Sequence, residues 1–389
     1  MKIAEIAPEK LPVPPVKGGA CEMWIDEVNQ ILAKNNLVYV LSRPSGVKSE
    51  NKIKYIPIKR GIREKIESKV RLPKIKKIAR YLEIKKYAKK VAKKIPTDTE
   101  IIHIHNRPDI IPSVRKIHNK KIILHMHNDH LINNPILKNK YSKILSQTNL
   151  VLCVSNYIRD QVRKMYPEHK NKIQTLYNGV NTTNFKKRDK KTTDKVRKKY
   201  DLGKGKVILY VGRIVPEKGL HILVGAFKEY HKKYKDAKLV IAGSSWFKEG
   251  RLTPYIKELK ESTKDLKSNI IFTGFIDGKE IQEMYSAADI FVCPSIWNEP
   301  FALVCLEALS SNVPTIATKT GGIQELVRGR GVLCERDNKD DLLNSLLEIT
   351  KNYKKYQTKA NNSRKYIEKN HTWKEITKQL EKHMRTLLK

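Results

Sequence analysis

The sequence is short of cysteine, arginine, acidic side chains and long apolar runs, and each shortage removes a class of protein. Its 389 residues hold five cysteines, Cys21, Cys153, Cys293, Cys305 and Cys334. They form no Cys-x-x-Cys pair and no Cys/His ligand spacing, which argues against a disulfide framework or a zinc finger. They read as reduced thiols, and Cys153 and Cys293 lie inside apolar runs where a small hydrophobe fits. No apolar run approaches the roughly 20 residues needed to span a bilayer. Glu5 and Glu9 interrupt the start where a signal peptide needs unbroken apolar sequence, so a soluble protein kept in the cytoplasm is expected. Acidic residues number 40 against 79 lysines and arginines, a formal charge of +39. That balance favours anionic partners such as nucleotides, anionic lipids or nucleic acids. Only 18 of the 79 are arginine, the side chain that reads phosphate and guanine bidentately. With no stacking motif or recognition helix, a nucleic-acid partner is not expected.

What is present is alternation. The chain is longer than the roughly 250–300 residues at which a single core stops growing, so about two domains are expected. Short apolar runs at 2–7, 37–41, 101–104, 121–126 and 150–154 read as buried parallel strands. Gly18-Gly19 and an amphipathic stretch carrying Met23, Trp24, Ile25, Val28, Ile31 and Leu32 separate the first two. The stretch 182–206 is polar and lysine-rich and reads as a connection, with the boundary near Asn184. Strand runs resume at 207–211, 238–242, 269–272, 290–293, 315–317 and 332–334, with helical patterns between them at 219–234 and 301–311. Two doubly wound α/β domains follow, with ligands expected beyond the carboxyl ends of the strands in an interdomain cleft. One segment departs from the pattern: 59–94 holds sixteen basic residues against three glutamates. It reads as a basic amphipathic helix, suited either to an anionic membrane surface or to ordinary solvated packing.

Two segments carry chemistry. In CPSIWNEPFALVCLEALSSNVP a strand runs into Glu299 and Pro300 and then a helix bearing Glu307. Pro300 suits the first helical position, which would leave the N–H groups of Phe301, Ala302 and Leu303 free as a phosphate site. Glu307 would lie about 12 Å of rise further on and about 80° round, so the two carboxylates would touch different parts of one extended ligand. In LYVGRIVPEKGLHIL a strand ends at Val211. Gly212 there permits close backbone approach, and Arg213 and Lys218 follow as fixed cations able to hold a pyrophosphate. His103, His105, His125, His127 and His130 cluster in sequence. They have no His-x-x-x-His spacing and no adjacent cysteine pair, so substrate contact is expected of them and no metal.

Together these motifs, with KLPVPPVKGGA, HIHNRPD, LHMHNDH, YNGVN, AGSSWF and FTGFI, resemble family 4 of the retaining glycosyltransferases over nearly the whole chain. Within that family the chain looks most like the spore coat protein SA type. The resemblance implies two Rossmann-like domains of the GT-B kind, 1–184 on the acceptor side and 185–370 binding a nucleotide-diphosphate sugar. It also implies a terminal helix in 371–389 returning to the first domain. By position, Arg213 and Lys218 hold donor phosphates, Glu307 the ribose and Glu299 the transferred sugar. Gly18 and Gly19 face the donor phosphates and the acceptor, and Gly274, Phe275 and Ile276 line the base pocket. His127 stands beside the reacting sugar, with His125 as the competing candidate.

A hexosyl group would pass from the donor, expected to be a UDP-sugar, to a hydroxyl of a cell-surface, spore-coat or polysaccharide acceptor. No cofactor is implied. Asp-x-Asp, the diphosphate-metal motif of the other large glycosyltransferase fold, is absent. The implied location is cytoplasmic, peripheral at the inner membrane face or associated with the spore coat. An inactive coat or scaffold protein is the alternative, which retention of Arg213, Lys218, Glu299 and Glu307 argues against. Glu22 stands one residue later than the acidic residue often found after the glycine pair.

Overall fold

Strands that run parallel are joined by crossovers that cover both faces of their sheet, so their sequences are apolar at nearly every position. The computed structural model describes residues 1–16, 18–48, 52–60, 73–245 and 252–389, and over these the chain forms two compact units. The first unit is Met1–Asn178 with Trp373–Lys389, and the second is Gly179–Thr372.

The first unit holds β1 (Lys2–Ile6), β2 (Leu37–Ser42), β3 (Ile53–Pro57), β4 (Ile101–His105), β5 (Lys121–Met126), β6 (Leu150–Cys153) and β7 (Ile173–Thr175). They pair in parallel in the order β3-β2-β1-β4-β5-β6-β7. The period of two sorts neighbouring side chains into two cores. Ala4, Ile102, Ile122 and Leu124 meet Tyr87, Ala88 and Val91 of the helix Pro73–Lys94. Ile3, Ile101 and Ile123 meet Trp24, Ile25 and Val28 of the helix Ala20–Leu32 and Trp373, Ile376 and Leu380 of the terminal helix Trp373–Leu388.

The second unit holds β8 (Val207–Val211), β9 (Lys238–Ala242), β10 (Ile270–Gly274), β11 (Ile290–Cys293), β12 (Thr315–Thr318) and β13 (Val332–Cys334). Their order is β10-β9-β8-β11-β12-β13, again parallel. The order reverses between β1 and β4 in the first sheet and between β8 and β11 in the second. Those are the points where loops diverge and ligands of such sheets settle.

Two features of the reading above change. Residues 179–184, assigned there to the first domain, are tied to the second unit. The Val180 N–H donates to the His371 carbonyl at 2.8 Å, and Arg364 donates to the Thr182 and Phe185 carbonyls at 3.0 and 2.9 Å. The polar stretch 182–206 is not a bare connection, because it contains the helix Lys190–Lys199. Asp189 caps that helix by accepting from the Thr192 N–H at 2.7 Å, and Arg197 pins it through Asp289 at 2.8 Å. In the basic segment, residues 61–72 lie outside the described residues, as do Trp246 and Phe247 of the AGSSWF motif. No helix among the described residues is long and apolar enough to cross a membrane.

Candidate active site

In the second unit the loops after β8 and β11 are bound to each other. The Ile296 N–H and the Ser295 hydroxyl donate to the Glu217 carbonyl at 3.1 and 3.3 Å. Gly219, with φ +66°, lies so close to the Pro294 carbonyl that a Cβ would collide with it. The joined loops bring Lys218 Nζ onto Glu299 Oε1, the same oxygen that accepts from Ser295 Oγ at 2.8 Å. Glu299 is buried, and Lys218 also faces the Trp297 ring at 5.7 Å. Arg213 follows Gly212 at the tip of β8, where its carbonyl accepts from the Tyr210 hydroxyl at 2.6 Å. Its guanidinium is partly exposed, 3.8 Å from Glu217. Lys218 and a buried carboxylate thus meet at the switch point of this sheet, with Arg213 on the same loop as Lys218.

The helix after Glu299 starts later than its sequence suggests. It spans Leu303–Ser310, and Ala302 precedes it in the left-handed region at φ +64°. Pro300 is therefore not its first residue, and Phe301 and Ala302 belong to the loop rather than to a helix end. The reason lies in the partner of Glu299. The Gly322 N–H donates to the Glu299 carbonyl at 2.7 Å, and Gly321, at φ +44°, packs onto the same peptide. That hold keeps 299–302 out of helical register, so the rise and rotation expected between the two glutamates do not apply. Glu307 accepts from the Tyr285 hydroxyl at 2.9 Å. Burial pushes its carboxyl up to about 7 against that hydrogen bond. Gly274 ends β10 at φ +71°, with Phe275 exposed and Ile276 partly buried beyond it.

In the first unit the period of two places Glu5 on β1, His103 and His105 on β4, and His125 and His127 along β5 on the face covered by the helix Ala20–Leu32. Glu5 pairs in register with His103, and His105 with His125. Glu5 takes His103 Nδ1 at 3.1 Å and His105 Nε2 at 2.7 Å, and His105 Nδ1 meets His127 Nε2 at 2.9 Å. A carboxylate at His105 Nε2 fixes the proton there, so His105 Nδ1 accepts and His127 Nε2 donates. His125 is fully buried against Trp24, with ring centroids 4.7 Å apart, whereas His127 keeps part of its surface exposed. His130 stands apart, on the Tyr141 hydroxyl at 3.2 Å. Gly18 and Gly19 have φ of +78° and +120°, and a Cβ at Gly19 would strike the Glu22 carboxylate. Glu22 thus backs the glycine turn.

Burial alone would raise the Glu5 carboxyl, but its imidazole partners bring it down to about 2, while burial and the neighbouring His103 hold His105 down to about 4. Both folded values lie below the ordinary ones, so the unfolded chain binds more protons. This stability is therefore present above about pH 6.5 and lost as pH falls through about 4 towards 2. Urea midpoints measured from pH 7 down to pH 3.5 should fall continuously over that range. A flat profile between pH 6.5 and 4 would contradict the assignment.

Several site residues escaped the sequence reading. In the sequence Glu5 reads only as an interruption of an apolar start, although a lone carboxylate inside a buried strand demands a partner. Gly321 and Gly322 follow β12 as a glycine pair, the same signal that marked Gly18-Gly19. Tyr285 sits inside an ordinary amphipathic helix, and nothing in its sequence context singles it out.

Family models bear on both units. The model described as Glycosyltransferase Family 4 matches residues 18–184, and the one described as Glycosyl transferases group 1 matches residues 192–366. The chain is 30% identical to YtcC of Bacillus subtilis, a glycosyltransferase by name, over 98% of this chain and 91% of that protein. It is 28% identical to spore coat protein SA of the same organism, over 98% of each. Among solved structures, Anabaena HepE in complex with UDP-glucose superposes with a TM-score of 0.77 at 18% identity, covering 99% of this chain and 100% of that one. With matched models over both sheets, and a full-length relative at this identity, the chain belongs to the family 4 glycosyltransferases and has their GT-B fold of two Rossmann-like domains.

Proposed function

We propose that this glycosyltransferase takes a UDP-sugar and transfers its hexosyl group, with retention of anomeric configuration, to a hydroxyl of a cell-surface, spore-coat or polysaccharide acceptor. The observation that carries the reading is the pairing of Lys218 with buried Glu299 at the switch point of the second sheet, with Arg213 on the same loop as Lys218. In this reading Arg213, Lys218 and the backbone from Phe301 to Leu303 hold the diphosphate, and Gly212 lets it approach. Their charge stabilises the nucleotide as the glycosidic bond lengthens. Both polar contacts of the Glu299 carboxylate fall on Oε1, and we assign Oε2 to hydroxyls of the transferred sugar. Glu307 takes the ribose, and Gly274, Phe275 and Ile276 take the base.

Gly18 and Gly19 serve the donor phosphates and the acceptor, and His127 stands beside the reacting sugar with its tautomer set through His105 by Glu5. The acceptor hydroxyl attacks from the face the nucleotide leaves. Donor charge is met by side chains and backbone, so no divalent cation is assigned to the diphosphate. The helix Pro73–Lys94 exposes Ile78, Tyr81 and Leu82 beside exposed Lys85 and Lys89, which supports peripheral contact with an anionic membrane face.

The test is release of UDP from UDP-sugars, with and without candidate acceptors and anionic vesicles. Acceptor-stimulated release giving a product of unchanged anomeric configuration is expected. An inverted product would refute retention. No release from any nucleotide-sugar would favour a scaffold that keeps the fold. Sedimentation with the vesicles should weaken in Ile78→Asp, and equal sedimentation would remove the membrane contact.

A further inference from the structure

The histidine layer of the first unit carries a second possibility, because strands can assemble metal ligands that helix spacing does not reveal. A His-x-His pair on one strand puts both rings on the same face. Two such pairs lie on β4 and along β5, and β4 and β5 are neighbours, with His105 opposite His125. The helix Ala20–Leu32 lowers Cys21 onto that face, so that Cys21 Sγ, a ring nitrogen of His105 and a ring nitrogen of His127 lie within 4.8 Å of one another.

One sulfur and two imidazole nitrogens make the donor set of a four-coordinate d-block cation, whereas magnesium and calcium take oxygen. We propose that Cys21, His105 and His127 form a binding site for a divalent d-block cation of the zinc class, with Glu5 holding His105 in ligating orientation, and that occupancy withdraws His127 from sugar transfer.

The local geometry meets the requirements of such a site. Glu5 engages His105 Nε2 at 2.7 Å, which leaves Nδ1 as the bare nitrogen facing the site, the carboxylate–histidine arrangement that supports metal ligands. His105 Nδ1 and His127 Nε2 are 2.9 Å apart. Tetrahedral ligands at zinc–nitrogen distances lie about 3.4 Å apart, so the rings must open by roughly half an ångström. His127, which is partly exposed, can make that adjustment by moving its proton to Nδ1, and its exposed side gives solvent access for entry and for a fourth ligand. Cys21 loses its thiol proton to solvent as the ion binds.

The layer around these three ligands holds further buried polar groups. Among the described residues, buried His125 has no hydrogen-bond partner on either ring nitrogen, and His103 Nε2 and Trp24 Nε1 have none either. His125 stacks on His127 with centroids 4.2 Å apart, and Trp24 lies 5.3 Å from His105. These side chains lie outside the proposed donor set, which rests on the placement of Cys21, His105 and His127 alone.

The effect on transfer rests on the placement of His127 under the proposed function, while the site itself does not. Chelator-treated full-length protein titrated with Co2+ should bind one equivalent, giving visible ligand-field bands of a four-coordinate ion and a thiolate charge-transfer band in the near ultraviolet. Cys21→Ser should lose the charge-transfer band, and both it and Glu5→Gln should weaken binding by about tenfold or more. Circular dichroism and urea midpoints serve as the check that each variant is folded. Zn2+ should inhibit UDP release by wild type, reversibly with chelator, and should spare Cys21→Ser. Absence of stoichiometric Co2+ binding, or an unchanged spectrum in Cys21→Ser, overturns the site. Thiolate-ligated Co2+ together with transfer indifferent to Zn2+ would uphold the site and refute the placement of His127.

Discussion

Lys218→Ala is expected to cut turnover by about 10²-fold or more and also to destabilise the second unit, whereas Arg213→Ala should cut turnover alone. The difference follows from burial. Lys218 Nζ is bound to Glu299, whose side chain is only 7% exposed. Removing one partner of such a pair leaves an uncompensated buried charge, a loss of about 3–5 kcal/mol. Over a unit of this size that is a fall in melting temperature of roughly 10 °C. Arg213 is 39% exposed and lies 3.8 Å from Glu217, a contact worth about 1 kcal/mol at most. Adding Glu299→Gln to Lys218→Ala should restore stability without restoring turnover. Near-normal turnover in Lys218→Ala and Arg213→Ala would remove the diphosphate from these side chains.

Gly321→Ala should be strongly damaging, although residue 321 bears no chemistry of its own. At φ +44° a side chain is already strained, and its Cβ would collide with the Glu299 carbonyl and lie 2.8 Å from the Glu299 nitrogen. Backbone cannot yield as a flexible side chain does, so the loop from Pro294 to Ala302 must shift. A displacement of about 1 Å at a reacting group can cost about 10²-fold in rate. Gly203→Ala provides the control, because Gly203 has φ +61° with nothing within 4 Å of its added Cβ among the described residues. It should show backbone strain alone, about 1–2 kcal/mol, with turnover unchanged. Equal effects of the two substitutions on turnover would show that Gly321 does not set the position of Glu299.

The strands that form the middle of each sheet are legible because both faces are covered and nearly every position is apolar, as in IIHIH and IILHM. The edge strands β3 and β7 are not. IKYIP alternates charge with half-exposed apolar residues, and IQT is too short to carry a period. The residues of GRIVPEKG and of SIWNEP were identifiable as a pair only through the family resemblance. Their union depends on hydrogen bonds from the Ser295 hydroxyl and the Ile296 N–H to the Glu217 carbonyl, which have no sequence signature. The helix beginning at Leu303 rather than Pro300 reflects tertiary override, since the Gly321-Gly322 turn claims the Glu299 peptide. The histidine layer failed for another reason. A search by helical spacing does not test strand pairs, and Glu5, which organises the layer, lies roughly a hundred residues away in sequence.

The central claim, a nucleotide site built on the second unit, is tested most directly by thermal shifts with UDP, GDP, ADP and TDP at fixed salt, for wild type and Glu307→Ala. At a hundred times its dissociation constant a ligand stabilises by about 2.7 kcal/mol. UDP should therefore raise the wild-type melting temperature by several degrees, and the shift should vanish in Glu307→Ala. No shift with any of the four nucleotides, or one that survives loss of Glu307, would contradict the site described.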